Sequence, residues 1–474
     1  MKRTLYDYLK EYSDSEMYPF HMPGHKRNPH SGPLSEFYSL DITEIDGFDN
    51  LHQPESIIKD AQERAASLYQ SEETFYLVNG STSGILSAIS AVAGADKRLI
   101  IARNCHKAVY HAAFLNRMRL HYVYPEIYEE YDIAGEVKAV QIDREIKSIL
   151  RNETIEAADA NKKIAGVVIT SPTYDGIVSD VVEIADVVHH YGIPLIVDQA
   201  HGAHFGFHPA YPENAVRQGA DIVIHSVHKT LPAPTQTALL HRNGNLIDRE
   251  MLTKYLRIYQ SSSPSYLLMA GIDEAMQFVT ESGFQRLDEL LNLRLKIEEK
   301  AKNFCHIRVC PLTEPGKLII SVKNTSLTGK ALYEVLRKKY HLQMEMAAGS
   351  YVIAILSMMD TEKGINRLLT ALQEIDQSLS DMPAKQIVSP MLNIRPEKSM
   401  ELCDAYHLAY ERINAKDAKN RIVAEFVNLY PPGIPILVPG EVISKQILDL
   451  MEDYQKNGYT VQGIEHQELK VINI

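Results

Sequence analysis

The chain has 474 residues, of which 45% are hydrophobic and 23% charged, with a formal net charge of −12. This composition predicts a globular protein of two or three domains, and an acidic balance without basic clusters excludes a general nucleic-acid binder. Cys105, Cys305, Cys310 and Cys403 form neither a CxxC pair nor a disulfide framework, no apolar stretch is long enough to span a membrane, and Met1 to Lys10 has no apolar leader core. The expectation is a soluble cytoplasmic protein with reduced thiols, no metal site, and neither a membrane nor a nucleic-acid partner.

Turn formers crowd the first fifty residues, in Phe20-His-Met-Pro-Gly-His-Lys26 and Asn28-Pro-His-Ser-Gly-Pro33. They predict an irregular arm, residues 1–52, lying across a domain or a partner subunit. Helical periodicity runs from Gln53 to Tyr69, with Ile57, Ile58, Ala61 and Ala65 on one face. Short apolar runs then alternate with helical stretches: Thr74–Val78, Leu99–Ala102, Ala165–Thr170, Leu195–Val197, Asp221–Ile224 and Ala238–Leu240. Strands alternating with helices predict an α/β large domain, residues 53–302, with a mostly parallel sheet. A long helix, Leu267–Lys302, leads to a small α+β domain, 303–384, with strands at Leu318–Val322 and Tyr351–Leu356 and helices at Gly329–Lys338 and Thr361–Ser378. Prolines around Met382–Pro396 mark a boundary before a C-terminal domain, 385–474. That domain carries the rigid loop Tyr430-Pro-Pro-Gly-Ile-Pro-Ile-Leu-Val-Pro-Gly-Glu441.

In open α/β sheets ligands bind beyond the carboxyl ends of the strands, so the residues just past each apolar run carry the chemistry. After Val78 comes Asn79-Gly-Ser-Thr-Ser-Gly84, opening a helical stretch; small residues and hydroxyls at a helix start make an anion cradle. After Ala102 comes Arg103-Asn-Cys-His-Lys107, after Thr170 comes Ser171-Pro-Thr-Tyr-Asp-Gly176, after Val197 comes Asp198-Gln-Ala-His-Gly202, and after His225 come Ser226, His228 and Lys229. Each has a plainer explanation taken alone. The glycines suit a helix cap, Asp198 a turn, His106 a structural imidazole and Lys229 a solvated surface. Together they supply what pyridoxal phosphate requires: a phosphate cradle, an acid for the ring nitrogen, an imidazole for the ring face and a lysine for the Schiff base.

On these motifs the chain resembles the bacterial ornithine/lysine/arginine decarboxylases, fold-type I pyridoxal-phosphate enzymes with an aspartate-aminotransferase-like large domain. It is most similar to the shorter bacillary-type members, which lack the wing domain of the larger inducible enzymes. The resemblance rests on the motifs at Phe20–Lys26, Val78–Gly84, Arg103–Lys107, Ser171-Pro-Thr-Tyr174, Val197–Gly202, Ser226–Lys229, Ser261-Ser-Ser-Pro-Ser-Tyr266 and Tyr430–Glu441, in family order. It implies that Lys229 carries the cofactor, Asp198 pairs with the pyridine nitrogen, and His106 stacks on the ring. Ser81, Thr82 and Ser83 would hold the phosphate, with Ser226 and His228 adding donors and His201 near the ring hydroxyl. Ser261 and Ser262, with Ser263, would reach the phosphate or substrate of a neighbouring subunit, and Glu441 would face the substrate's distal cation. Gln199 stands where many relatives have glutamate, and strand alternation should point it away from the ring.

The implied reaction is α-decarboxylation of a basic amino acid, arginine or lysine ahead of ornithine, to the di- or polyamine and CO2, in a homodimer with composite sites. An aminotransferase or Cα–Cβ lyase would use the same cofactor; a transaminase needs an arginine for the α-carboxylate, and no motif of the small domain embeds one, which leaves only Arg395 open. A non-catalytic cofactor-binding scaffold is the alternative of another class. A nucleotide site at Gly80–Gly84 lacks the GxxxxGK[ST] spacing and its lysine.

Overall fold

Runs rich in Ile, Val, Leu and Thr build the strands of the α/β part. In chain order these are β1 (Glu73–Leu77), β2 (Arg98–Ala102), β3 (Arg119–Val123), β4 (Ile164–Thr170), β5 (Leu195–Asp198), β6 (Ile222–Ser226) and β7 (Ala238–Arg242). The structure, a computed structural model, describes residues 3–94, 96–379, 394–430 and 433–473. Most of the expected boundary at Met382–Pro396, and Pro431 and Pro432 of the rigid loop, lie outside the described residues. The chain divides into two compact units, one of Met1–Val92 with Pro194–Asp288 and one of Ala93–Ile193 with Glu289–Ile474.

In the first unit the strands run in the order β1-β7-β6-β5. β5 and β6 are parallel, and β7 is antiparallel to both β1 and β6. Every residue of β5 and β6 is buried. A strand covered on both faces needs no polar alternation, which is why these two read as continuous apolar runs. The helix Gly80–Val92 packs so closely that a Cβ on Gly84 would lie 2.6 Å from Leu77 Cδ1 and 3.3 Å from Ile224 Cγ2. Glycine at 84 therefore sets how near the start of this helix comes to the strand ends.

The first fifty residues are less irregular than their turn formers suggest. Leu5–Asp14 is a helix whose start is closed reciprocally. Thr4 Oγ1 accepts the Asp7 N–H at 3.4 Å, and Asp7 Oδ2 accepts the Thr4 N–H at 2.8 Å. This Thr-x-x-Asp capping box is visible in the sequence, and the turn formers downstream obscure it. The buried Asp273 carboxylate anchors the helix, accepting the Leu5 N–H at 2.8 Å while pairing with Arg64 at 2.6 Å. At the next helix, Ile57–Tyr69, the Asp49 carboxylate accepts the N–H groups of Glu55, Ser56 and Ile58 at 2.9, 2.8 and 3.1 Å. Burial works to raise the Asp49 carboxyl, but these donors together carry it below its ordinary value.

In the second unit β4, β2 and β3 are hydrogen-bonded in that order and all parallel. β2 is wholly buried, whereas β3 is an edge strand with Arg119 exposed and His121 and Tyr122 half-buried. Its mixed composition explains why no apolar run announces it. Residues Tyr266–Ala301 form one helix of 36 residues, as the charge-interspersed pattern predicts. An antiparallel sheet comes next, ordered Arg308–Val309, Lys317–Ser321, Tyr351–Ile355, Met346–Ala348, with helices Gly329–Lys339 and Glu362–Ser378. Toward the C-terminus Val427–Tyr430 lies between Ile434–Leu437 and Thr460–Gln462, and Tyr410–Asn414 pairs with Glu468–Ile472. The helix Lys445–Lys456 packs Ile447, Leu450 and Met451 into their core. The whole is α/β with a mostly parallel sheet and smaller α+β parts.

Candidate active site

In the first unit the neighbouring parallel strands β5 and β6 end in the expected acid and amine. β5 stops at Asp198, and β6 runs through Ser226 into the single turn Val227–Thr230, which carries His228 and Lys229. Asp198 is 3% exposed and its Oδ1 accepts the Ala200 N–H at 3.2 Å. Burial raises its carboxyl, and the charge of Lys229 pulls it back down. Lys229 Nζ lies 3.0 Å from His201 Nε2. His228 donates from Nδ1 to the Thr237 carbonyl at 2.9 Å. Burial lowers its pKa despite that bond, with Lys229 adding to the effect, so the imidazole is neutral at pH 7.

The expected anion cradle is the start of the helix Gly80–Val92, which meets β6 at Ser226. Gly80 takes φ +74°, a left-handed conformation that glycine tolerates, and starts a helix of 13 residues. The first-turn N–H groups of such a helix have no intrahelical acceptor and favour negative charge. Ser226 Oγ donates to Ser81 Oγ at 2.9 Å, so hydroxyls from β6 and the helix start meet there. Ser83 is buried and donates to the Gly80 carbonyl at 2.8 Å, whereas Thr82 is exposed. Ser261 adjoins the cradle, its N–H donating to Asn79 Oδ1 at 3.0 Å and its carbonyl accepting from His52 Nε2 at 2.7 Å. The side chains of Ser261, Ser262 and Ser263 are exposed on this chain.

Gln199 belongs to a buried network. Its Oε1 accepts from His225 Nε2 at 2.9 Å and from the Ala215 N–H at 3.0 Å, and His225 Nδ1 lies 3.0 Å from His241 Nε2. In the second unit His106 caps the helix Lys107–Leu115, its Nδ1 accepting the Ala108 N–H at 3.2 Å. That bond places the proton of the neutral ring on Nε2. Glu441, expected to face a substrate cation, is fully buried and engaged by Arg103, whose Nη2 lies 3.1 Å from Oε2 and 3.4 Å from Oε1. Glu441 Oε2 also accepts the Val438 N–H at 2.8 Å. Burial raises this carboxyl and the Arg103 charge opposes it. Arg103 is the residue sequence reasoning left without a role; a charge directly at the end of a wholly buried strand is the signal that could have found it.

The first unit thus gathers Ser81, Asp198, His201, Ser226, His228 and Lys229. Asp198 is a buried carboxylate that accepts the Ala200 N–H among the described residues, so it retains acceptor capacity for a cationic ring N–H. Beside it stand a lysine amine in contact with an imidazole and a hydroxyl-lined helix start. This donor and acceptor set fits pyridoxal phosphate.

Comparison with known proteins defines the class first. The chain shares its fold with the lysine decarboxylase LdcF of Francisella novicida, at a TM-score of 0.83 and 20% identity over 99% of this chain and 81% of that one. A looser likeness, TM-score 0.55 and 14% identity over 69% of this chain and 87% of that one, relates it to the ureidoglycine-glyoxylate aminotransferase of Bacillus subtilis. The α/β architecture is therefore that of decarboxylases and aminotransferases of this type. The major-domain model of the Orn/Lys/Arg decarboxylases matches residues 3–367 and their C-terminal-domain model residues 384–468. An arginine decarboxylase of Bacillus subtilis (strain 168) is 32% identical over 487 residues, covering 99% of this chain and 97% of that protein. The chain belongs to the Orn/Lys/Arg decarboxylase family and is an amino-acid decarboxylase, a carboxy-lyase acting on a basic amino acid.

Proposed function

We propose that the protein is a pyridoxal-phosphate-dependent arginine decarboxylase, forming agmatine and CO2. The observation that carries this reading is the cluster of Asp198, His201 and Lys229 at adjacent strand ends in a chain of this family. The arginine decarboxylases similar over their full length favour arginine over lysine and ornithine.

Lys229 would hold the cofactor covalently, Asp198 would accept the ring N–H, and Ser81, Thr82, Ser83, Ser226 and His228 would serve the phosphate. His106 would lie on the ring face and His201 beside the ring hydroxyl. Bound pyridoxal phosphate supplies an electron sink for the pair left when the Cα–carboxylate bond breaks. Asp198, held in a dry site, stabilises positive charge on the atom it faces more than a solvated acid could. His201 Nε2, 3.0 Å from Lys229 Nζ, can take a proton from that ammonium and leave a nucleophilic amine. Returned through the same contact, the proton is available at Nζ for delivery to Cα, with His106 Nε2–H as the second donor.

The reading extends to assembly and organisation. Ser261 and Ser262, exposed on this chain, would act in the site of a second copy, which makes the protein a homodimer. It would work in the cytoplasm, organised as an arm (1–52), a cofactor domain (53–302), a small domain (303–384) and a C-terminal domain (385–474). Purified enzyme incubated with cofactor and arginine, lysine or ornithine should yield agmatine with the highest kcat/KM. Cadaverine or putrescine as the preferred product would overturn the substrate, and keto acid without CO2 would overturn the reaction.

A further inference from the structure

The second unit contains a cavity at the carboxyl ends of β2 and β4, with about 100 Å³ open to the centres of water molecules. One water needs roughly 10–15 Å³ by that measure, so the space holds a molecule of several heavy atoms. Tyr124, Tyr174, Tyr351 and Tyr454 wall it, and Asn104 and Asp175 supply polar atoms. Three charged groups stand there, and two are already matched. Arg103 is committed to Glu441, and Asp132 has Lys323 Nζ at 2.8 Å and Ser350 Oγ at 2.9 Å. Asp175 differs. Its Oδ1 accepts from Tyr351 Oη at 2.8 Å, the Ala134 backbone N–H is a second donor, the wholly buried Lys317 acts on it through space, and no ion pair to it forms among the described residues. Nearby, Asn104 Oδ1 is buried without any hydrogen-bond partner.

A half-buried carboxylate with no cation in contact, beside an orphaned amide oxygen and between tyrosine faces, has acceptor capacity left over. A planar or ammonium-type cation on an aliphatic arm completes it: the arm packs on the rings, the charge meets the carboxylate, and an N–H reaches the amide. We propose that this cavity binds the guanidinium end of arginine or agmatine, with Asp175 as its anchor and Asn104 as a second acceptor. The choice of a guanidinium rests on the substrate reading above; the cation site itself does not. Glu441 is then a structural partner of Arg103 and not the group that reads the substrate.

The full-length, cofactor-loaded enzyme should bind agmatine about tenfold or more tightly than N-carbamoylputrescine, which has the same shape without the charge. Titration calorimetry reads both ligands on the unmodified protein, so this arm does not depend on a variant folding. In Asp175→Asn, which keeps an acceptor for Tyr351, that preference should disappear, and Asn104→Ala should weaken agmatine further. Equal binding of the two ligands by the unmodified protein, or undiminished agmatine binding by folded Asp175→Asn, overturns the inference. Asp175-dependent inhibition that is competitive with arginine identifies the substrate's own side chain as the occupant. Asp175-dependent inhibition that is noncompetitive identifies product bound at a second place, and both support the cation site. A protein that binds agmatine through Asp175 yet leaves arginine intact would sink the substrate assignment and leave this inference standing.

Discussion

Replacing Glu441 with glutamine should destabilise the second unit by about 3–5 kcal/mol, the usual loss when one partner of a buried ion pair is removed. Arg103 explains the size. Its Nη1 donates to the Pro435 carbonyl at 2.9 Å and Tyr110 Oη at 3.0 Å, its Nη2 reaches the Ile436 carbonyl at 3.3 Å, and among the described residues Glu441 is the carboxylate that neutralises it. Without the carboxylate the guanidinium stays buried with neutral acceptors only. At roughly 2 cal/mol/K of unfolding entropy per residue, such a loss lowers Tm by about 5–8 °C if this unit melts by itself. The pair's own net worth is a separate quantity, reached through Arg103→Met, Glu441→Leu and their combination. The double variant should recover most of the single losses, because replacing both charges removes the stranded one. It should remain about 1–2 kcal/mol below the parent, since the carbonyls of Pro435 and Ile436 lose their donor. Urea unfolding of all variants measures these terms. A Glu441→Gln protein within about 0.5 kcal/mol of the parent would refute the reasoning.

Buried titratable groups lead to two further outcomes. Burial lowers His241 from its ordinary 6.5 to about 3, and His225 also falls well below its ordinary value. A depressed pKa means that the folded state binds fewer protons, so this stability is complete above pH 6.5 and is lost as pH falls toward the folded values. Each histidine should contribute about 1.4 kcal/mol per pH unit to that slope, and His241→Asn should show a shallower one by urea titration across pH 4–6.5. Coincident slopes would show that these imidazoles are not dry. Asp175 has the opposite sign: burial raises its carboxyl, so its unfavourable effect sets in as pH rises above the ordinary carboxylate range. Ligand-free Asp175→Asn should therefore melt at a higher temperature than the parent at pH 7, with the gap closing below about pH 4. A gap independent of pH would mean that the carboxylate is compensated in a way the geometry does not account for.

Much of the α/β part was legible because its burial is two-sided. The runs at Leu195–Val197 and Asp221–Ile224 announced β5 and β6 within a residue or so, and the helix boundaries at Tyr266–Ala301 and Gly329–Lys339 agree similarly. β3 escaped because an edge strand carrying Arg119, His121 and Tyr122 lacks an apolar signature. The helix at Leu5–Asp14 escaped for a different reason: its capping box was outweighed by turn formers that begin several residues later. At the site, residue types and their place after strand ends pointed to Lys229 and Asp198 with no knowledge of distance. The contact of Lys229 with His201, and the meeting of Ser226 with Ser81, depend on how β6 stands against the helix Gly80–Val92, which no local pattern encodes. The same limit applies to Glu441. Its partner Arg103 is 338 residues away in the chain, so a carboxylate and a strand-end arginine were each visible while no local pattern paired them.

Borohydride reduction of the enzyme with added pyridoxal phosphate, followed by peptide mapping, addresses the chemistry at its root. The account predicts one stable pyridoxyl mark, on the peptide containing Lys229, and none in Lys229→Ala. A mark on a different lysine, or no mark on protein shown to be folded, would contradict it.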